Sequence, residues 1–134
     1  MSKKKILLLE SKTDRAESLR LRLRRLGYEV ISTTAADVVR KTAEFQPAVV
    51  LIGVKPGHER AQTSLAAVLK SRFKTTVMFL ASQVERNKLL RSGQFSPAEC
   101  VTSPQTDKEL KKDLETARRN SRARIASPLE DKSW

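Results

Sequence analysis

Residues 48–57, AVVLIGVKPG, carry the clearest structural signal of the chain. Their apolar run is continuous rather than alternating, which is typical of a strand buried on both faces of a parallel sheet. Pro56 and Gly57 predict a turn directly after it. In many α/β proteins a reactive side chain stands at the end of such a strand, where ligands bind. Here that position is Gly53, which has no side chain.

Four other segments favour strands, and they alternate with five that favour helices. The strands are predicted in KKILLLE (residues 4–10), YEVIST (28–33), TTVMFLA (75–81) and residues 99–102. The helices are predicted in residues 13–26, 35–45, 61–73, 82–93 and 106–124. This alternation predicts an α/β domain with a parallel sheet and right-handed crossovers.

The segment LRLRLRRL (residues 19–26) alternates as a strand would, but its context favours a helix. Apolar residues recur at helical spacing from Ala16 to Leu26, and only Leu21 fits this spacing poorly. The surrounding residues are good helix formers. Thr13 or Asp14 is a suitable N-cap, and Gly27 suits the left-handed position after the last turn.

Two other helices carry specific expectations. In the second helix, Val38 or Val39 and Ala43 are predicted to face the core, and the helix is predicted to end before Pro47. The final helix is predicted to be capped by Thr106 or Asp107.

The composition indicates one globular domain without a membrane span. The chain has 134 residues, of which 39% are hydrophobic and 31% charged. We expect a folded domain over residues 1–121 and a basic, polar and flexible tail over residues 122–134. No apolar run of about 18 residues exists, and the N-terminus lacks the pattern of a signal peptide, so we expect a cytoplasmic protein. The single cysteine, Cys100, excludes an internal disulfide and favours a small buried side chain.

The net charge of +12 bears on partners rather than on the fold. Basic residues cluster at the start of the chain, in the first predicted helix and near the end. One interpretation is a set of solvated helix faces and a basic tail. The other is a positive surface that binds an acidic protein or a nucleic acid, although no nucleic-acid motif or stacking aromatic accompanies the charges.

The order and spacing of five segments resemble the receiver domain of two-component response regulators. These segments are KKILLLESKTD, LRRLGYEV, FQPAVVLIGVKPG, TTVMFLAS and VTSP, which lie between about residues 4 and 117. The resemblance implies a flavodoxin-like, doubly wound (βα)5 domain with strand order 2-1-3-4-5. In an active receiver, an aspartate after the third strand accepts a phosphoryl group, acidic residues after the first strand hold Mg²⁺, and a Thr or Ser and a Lys contact the phosphoryl group.

This sequence departs from that pattern at nearly every position. The phosphoacceptor position falls on Gly53. The positions of the remaining pocket and of the strand-five switch aromatic fall on Glu10, Ser11, Ala81, Ser103, Pro104 and Cys100. Ser82 lies one residue after the Thr or Ser position, and no Asp occurs between Asp37 and Asp107. The resemblance therefore implies a degenerate receiver, or pseudo-receiver.

The site residues predict neither metal binding nor catalysis. A single Glu10 is a poor basis for a Mg²⁺ site, because hard cations require several oxygen ligands. We therefore expect no Mg²⁺ or other cofactor, and interpret Glu10 as a helix partner or an exposed carboxylate near Lys55. His58 lacks a partner at motif spacing, so no enzyme activity is expected. A glycine at position 53 also has a purely structural explanation, because glycine allows a positive φ or a close approach of the backbone to another group.

Three functional hypotheses follow. The first is a phosphorylation-independent protein–protein interaction module in signal transduction, which uses a surface on the last helices and strand to bind a partner, possibly an acidic one. The residues predicted for this surface are Lys88, Arg91, Cys100, Lys111, Lys112, Arg118 and Arg119. The second is a nucleic-acid- or polyanion-binding protein that uses the basic first helix and tail. The third is a conventional phosphorelay receiver. The sequence leaves the oligomeric state open.

Overall fold

A computed structural model describes residues 4–91, 100–102 and 106–126, with side chains described as far as residue 119. Strands and helices alternate along these residues, as predicted. The strands are β1 (Lys5–Leu9), β2 (Glu29–Thr33), β3 (Val49–Gly53), β4 (Thr76–Ala81) and β5 (Cys100–Thr102). The helices are α1 (Thr13–Arg25), α2 (Val38–Phe45), α3 (Glu59–Arg72), α4 (Gln83–Arg91) and α5 (Asp107–Ala126).

The five strands form one parallel sheet in the order β2-β1-β3-β4-β5, which confirms the predicted fold class and strand order. Alternate residues of each strand face opposite sides of the sheet. In β3, Val49 and Leu51 pack with α1 and α5, whereas Val50 and Ile52 pack with α2, α3 and α4. Because helices cover both faces, every residue of β3 is buried, and this explains its continuous apolar sequence.

The first helix has the predicted C-terminal end and the predicted buried face. Leu19 and Leu23 are buried, whereas Leu21 is 51% exposed. Gly27 has φ +96° and ends the helix as expected. The expected N-cap was wrong: Lys12 occupies the N-cap position and no side chain caps the helix. The Lys12 amide instead donates a hydrogen bond to Glu10 Oε2 at 3.2 Å. This bond connects the start of α1 to the residue that follows β1.

The inward face of α2 differs from the prediction in one residue. Val38 is buried, but Ala43 is exposed and Thr42 is buried in its place. Thr42 lies four residues after Val38, and its hydroxyl donates to the Val38 carbonyl at 2.6 Å. That bond satisfies the hydroxyl inside the protein, so a polar residue occupies the core position.

The last helix begins as predicted and extends to Ala126, past the predicted domain boundary at residue 121. Thr106 and Glu109 form a reciprocal capping box, in which the Glu109 amide donates to Thr106 Oγ1 at 3.2 Å and the Thr106 amide donates to Glu109 Oε1 at 3.3 Å. Residues 127–134, most of the predicted tail, lie outside the described residues. Within the described part of the chain, no helix has both the length and the apolar composition needed to cross a membrane.

Candidate functional site

The carboxyl edge of the sheet, where the strands end, brings the segments after β1, β3 and β4 together. Leu9 pairs with Ile52, and Gly53 pairs with Leu80. The residue after Leu9 is Glu10, so its side chain starts beside the end of β3. This edge is where ligands bind in doubly wound sheets.

The side chain of Glu10 occupies the space directly above Gly53. A Cβ at position 53 would lie 2.6 Å from Cδ of Glu10 and 3.0 Å from Oε2, and Oε1 is closer still. These separations are shorter than ordinary van der Waals contact. Gly53 has no positive φ, unlike Gly27 and Gly57, so backbone conformation does not require glycine here. The close approach of the Glu10 carboxylate explains it instead.

Arg15, in the first turns of α1, holds Glu10 in this position. Its Nε pairs with Glu10 Oε1, and its guanidinium also donates to the Val54 carbonyl at 3.3 Å. The side chain of Glu10 is 1% exposed and that of Arg15 is 28% exposed. A carboxylate buried to this extent requires a charged partner and hydrogen bonds, and Arg15 and the Lys12 amide supply them. The expectation of an exposed Glu10 near Lys55 was therefore wrong, whereas its role as a partner of the first helix is confirmed.

The loop after β3 is held from its other side by Gln62 of α3. Gln62 Nε2 donates to the Gly53 carbonyl at 3.0 Å, and the Lys55 amide donates to Gln62 Oε1 at 3.0 Å. The Val54 amide donates to the Leu80 carbonyl at 2.9 Å. Protein groups therefore satisfy the backbone around Gly53, and the loop is fixed without a ligand.

The hydroxyl of Ser82, which follows β4, caps the start of α4. The Glu85 amide donates to Ser82 Oγ at 3.2 Å, and the Ser82 amide donates to Glu85 Oε1 at 2.8 Å, which is a capping box. Ala81, one residue earlier, is fully buried. Ser11 is exposed, and Ser103 and Pro104 lie outside the described residues. Of the predicted pocket residues that the structure describes, it brings Glu10 and Gly53 into direct proximity.

Comparison with solved structures shows which fold this arrangement belongs to. The signal receiver domain of a modulated diguanylate cyclase from Desulfovibrio desulfuricans G20 matches with a TM-score of 0.75 and 20% identity, over 92% of this chain and 99% of that one. A response regulator receiver domain protein from Clostridium thermocellum matches with a TM-score of 0.69 and 18% identity, over 90% and 98% of the two chains. The PhyR response regulator receiver domain of Erythrobacter litoralis matches with a TM-score of 0.72 and 19% identity, over 87% and 91%.

The chain has the fold of a receiver domain. Comparison with protein-family models and with curated proteins gave no match. The fold neighbours have 18–20% identity, so they show the architecture and leave the activity to be argued from the site.

The residues at the receiver's acceptor site do not fit a magnesium ion. Mg²⁺ is bound in near-octahedral geometry through carboxylates and other oxygens. Here the predicted acceptor position, Gly53, supplies no carboxylate, and the carboxylate of Glu10 beside it is paired with a guanidinium that itself brings positive charge to the site. Nowhere in the described residues do three His, Cys, Asp or Glu side chains lie close enough together to hold a metal.

The surface predicted for partner binding lies on α4, β5 and α5, which are neighbours in this receiver fold. Cys100 is buried, so it belongs to the core beneath this surface rather than to the surface itself. The other predicted residues keep solvent access: Arg118 is half-buried, and the exposed ones are Lys88, Arg91, Lys111, Lys112 and Arg119. We call these six basic residues the α4–α5 surface.

Sequence reasoning missed Arg15 and Gln62, which hold the site together. In the sequence, Arg15 is one of several basic residues of the first helix. Glu10 precedes that helix, so helical spacing does not relate the two residues. Gln62 lies nine residues after Gly53, across the turn. One feature of the sequence could have indicated this contact. Gly53 ends one predicted strand, and a single acidic residue, Glu10, follows the strand that lies beside it.

Proposed function

We propose that this chain is a phosphorylation-independent, response-regulator-like signalling module that binds a protein partner through the α4–α5 surface. The observation that carries the proposal is the position of Glu10 over Gly53. The acceptor site lacks the nucleophile, and its space is filled by an internal carboxylate that is paired with Arg15. A receiver fold with this site has no means of forming an aspartyl phosphate at the usual position.

The charge of the α4–α5 surface supports an acidic partner. Two acidic residues near it, Glu85 and Glu109, are engaged in the capping boxes of α4 and α5. Their negative charges lie at the helix N-termini, where they stabilise the helices. Asp113 and Glu115 also lie on α5, but the six basic residues outnumber them, and this excess of positive charge favours fast association with a negatively charged protein.

The same surface also offers apolar contact. Val84 of α4 is 65% exposed, and Leu90 lines an open cleft of about 480 Å³ together with Asn87 and Arg91. Protein–protein interfaces combine an apolar centre with a polar rim. The combination of an exposed valine, a cleft beside Leu90 and surrounding cations supports a protein partner for this surface.

Affinity capture with two matched variants tests the proposal. Lys111→Glu with Lys112→Glu reverses charge on the α4–α5 surface, whereas Lys12→Glu with Lys55→Glu makes the same change in net charge at the carboxyl edge. We expect a partner that the wild type and the Lys12/Lys55 variant retain and the Lys111/Lys112 variant loses. Retention should be the same with and without acetyl phosphate and Mg²⁺. Equal binding by all three proteins, or binding only after acetyl phosphate treatment, would overturn the proposal.

A further inference from the structure

The two ends of the helices carry opposite charges, and in one case they meet: Arg22 and Arg25 at the end of α1 pair with Asp107 at the start of α5. Acidic residues stand in the first turns of α1, α3, α4 and α5, and basic residues in the last turns of α1, α3 and α4. Each placement suits the helix dipole. Because every strand is parallel, each helix returns the chain from the carboxyl edge to the edge where strands begin, so the last turns of α1, α3 and α4 gather at this second edge. We call it the amino edge.

The described part of the amino edge runs across the starts of β2, β1, β3 and β4. Backbone hydrogen bonds join neighbouring strand starts: the Glu29 amide donates to the Lys4 carbonyl at 2.9 Å, and the Thr76 amide donates to the Ala48 carbonyl at 3.1 Å. Two clefts open along it. One of about 490 Å³ is lined by the ends of α2 and α3, including Arg72 and Lys74. The other, of about 350 Å³, is lined by Lys4, Glu115, Arg118 and Arg119.

The two edges differ in how their charges are paired. At the carboxyl edge, Glu10 pairs with Arg15, and Glu59 accepts from the Gly57 amide at 2.9 Å. At the amino edge, Glu44 pairs with Arg40, which leaves Glu29 and Glu115 as the acidic residues of its described part. Its cations exceed them, and within the described residues several form no ion pair: Lys4, Arg24, Arg72, Lys74 and Arg119.

The helix dipole does not account for all of these cations. Lys4 precedes β1 and Lys74 follows α3, so neither belongs to the last turn of a helix. Arg24 lies in the layer of α1 and α5, and Arg72 in the layer of α2, α3 and α4, so the positive charge extends across both faces of the sheet.

We propose that the amino edge binds the phosphate backbone of a nucleic-acid duplex without reading its sequence. Four strands, β2, β1, β3 and β4, begin at the described part of this edge, and at about 4.8 Å spacing they make it about 15 Å wide. A duplex carries one charge about every 1.7 Å of its axis when both strands are counted, so a duplex that lies along the edge brings several phosphates near these cations. A regularly charged polymer can contact cations that are spread over several elements, which a single small anion cannot.

The apolar residues of the domain favour this partner over a membrane. The large hydrophobic side chains exposed among the described residues are Leu21, Val68 and Val84, and none of them belongs to the amino edge. The described part of the edge therefore offers no large exposed side chain for insertion into a bilayer. The apolar stripe of α5, Leu110 and Leu114, is buried against the sheet.

This site differs from the one expected from the sequence. The predicted polyanion surface was the first helix together with the tail. Four arginines of that helix are engaged in ion pairs, namely Arg15, Arg20, Arg22 and Arg25, and residues 127–134 of the tail lie outside the described residues. The amino edge is also distinct from the carboxyl edge, where the proposed loss of phosphorylation is located. The test below therefore uses residues away from both the acceptor site and the α4–α5 surface.

Fluorescence anisotropy of a short, mixed-sequence DNA duplex tests this proposal. Arg72→Glu with Lys74→Glu removes amino-edge charge, and Lys12→Glu with Lys55→Glu is the matched control at the carboxyl edge. We expect wild-type affinity to fall steeply with added KCl, as release of bound cations from phosphates requires. The amino-edge variant should bind at least about tenfold more weakly and show a salt slope shallower by about two, while the control stays within about threefold of wild type.

Other outcomes would overturn the proposal. Equal weakening in both variants would indicate a general effect of net charge, and no binding at low salt would remove the site altogether. Stronger binding to phosphatidylserine vesicles than to the duplex would assign the edge to membranes. Arg24→Glu on α1 repeats the test on the other face of the sheet, so a folding defect in the α3 variant does not leave the question open.

Discussion

The carboxylate of Glu10 lies directly over Gly53, in the space that any larger residue at position 53 would need. The two residues belong to neighbouring strand ends and depend on each other. A side chain at position 53 displaces the carboxylate, and the buried carboxylate requires the guanidinium of Arg15. The space above Gly53 is therefore occupied from within the chain.

The contact between Glu10 and Gly53 predicts a specific energetic coupling. Gly53→Ala should lower the free energy of unfolding by about 1–3 kcal/mol, because the methyl group forces Glu10 away from Arg15. In a Glu10→Ala background the same substitution should have a much smaller effect. Urea denaturation of the four proteins in this cycle gives the coupling, which we expect to be at least about 1 kcal/mol. Additive effects would show that Glu10 does not occupy this space.

Removal of Arg15 should destabilise the domain because it leaves a buried charge without its partner. Loss of one partner of a fully buried pair costs about 3–5 kcal/mol, and the partial exposure of Arg15 reduces the expected loss to about 1–3 kcal/mol. Adding Glu10→Gln to Arg15→Ala should restore part of the stability, since the uncompensated charge is removed. A double variant less stable than Arg15→Ala in urea denaturation would refute this role.

The link between α1 and α5 should show an acid-dependent contribution to stability. The hydrogen bond from Arg22, together with the charges of Arg22 and Arg25, holds the pKa of Asp107 below its ordinary value of 3.8. A carboxyl group whose pKa is lowered in the folded state stabilises the fold at pH values above its ordinary pKa. This stabilisation is lost as the pH falls through the lowered pKa.

Asp107→Asn therefore provides the comparison. Its urea midpoint should lie below that of the wild type at neutral pH. The difference should shrink as the pH falls below the ordinary pKa of aspartate and disappear below the lowered pKa of Asp107. Asp14→Asn, an exposed substitution in the first turn of α1, is the control. If the Asp107 difference persists unchanged in acid, the ion pair is not its cause.

Tyr28 should ionise at a higher pH than a free tyrosine. Burial of the phenol, followed in importance by the charge of Glu115, raises its pKa above 10.0, and Arg118 partly opposes this shift. Because a raised pKa favours the neutral phenol in the folded state, the stabilisation holds below the ordinary pKa and is lost as the pH rises above it. Tyr28 is the only tyrosine, so absorbance of tyrosinate reports it alone. If the Tyr28 phenol ionises at the same pH in native buffer and in urea, its burial in the folded protein is contradicted.

The sequence predicted the fold because its signals are local. Continuous apolar segments identified the buried strands, and Gly27 and Thr106 marked helix ends that the structure confirms. The site required tertiary information. The approach of Glu10 to Gly53 depends on β1 lying beside β3, and the identity of the Glu10 partner depends on where α1 starts. Similarly, Thr42 occupies a core position because its hydroxyl bonds to Val38, which the apolar spacing of α2 does not reveal.

Phosphorylation itself tests the central claim most directly. Intact-protein mass spectrometry after incubation with acetyl phosphate and Mg²⁺, with an active receiver domain as positive control, measures any phosphoryl group gained. With Gly53 at the acceptor position and Glu10 paired with Arg15, we predict an unchanged mass for this protein and an added phosphoryl group on the control. An added phosphoryl group that peptide mapping places on an aspartate or on Glu10 would contradict the account.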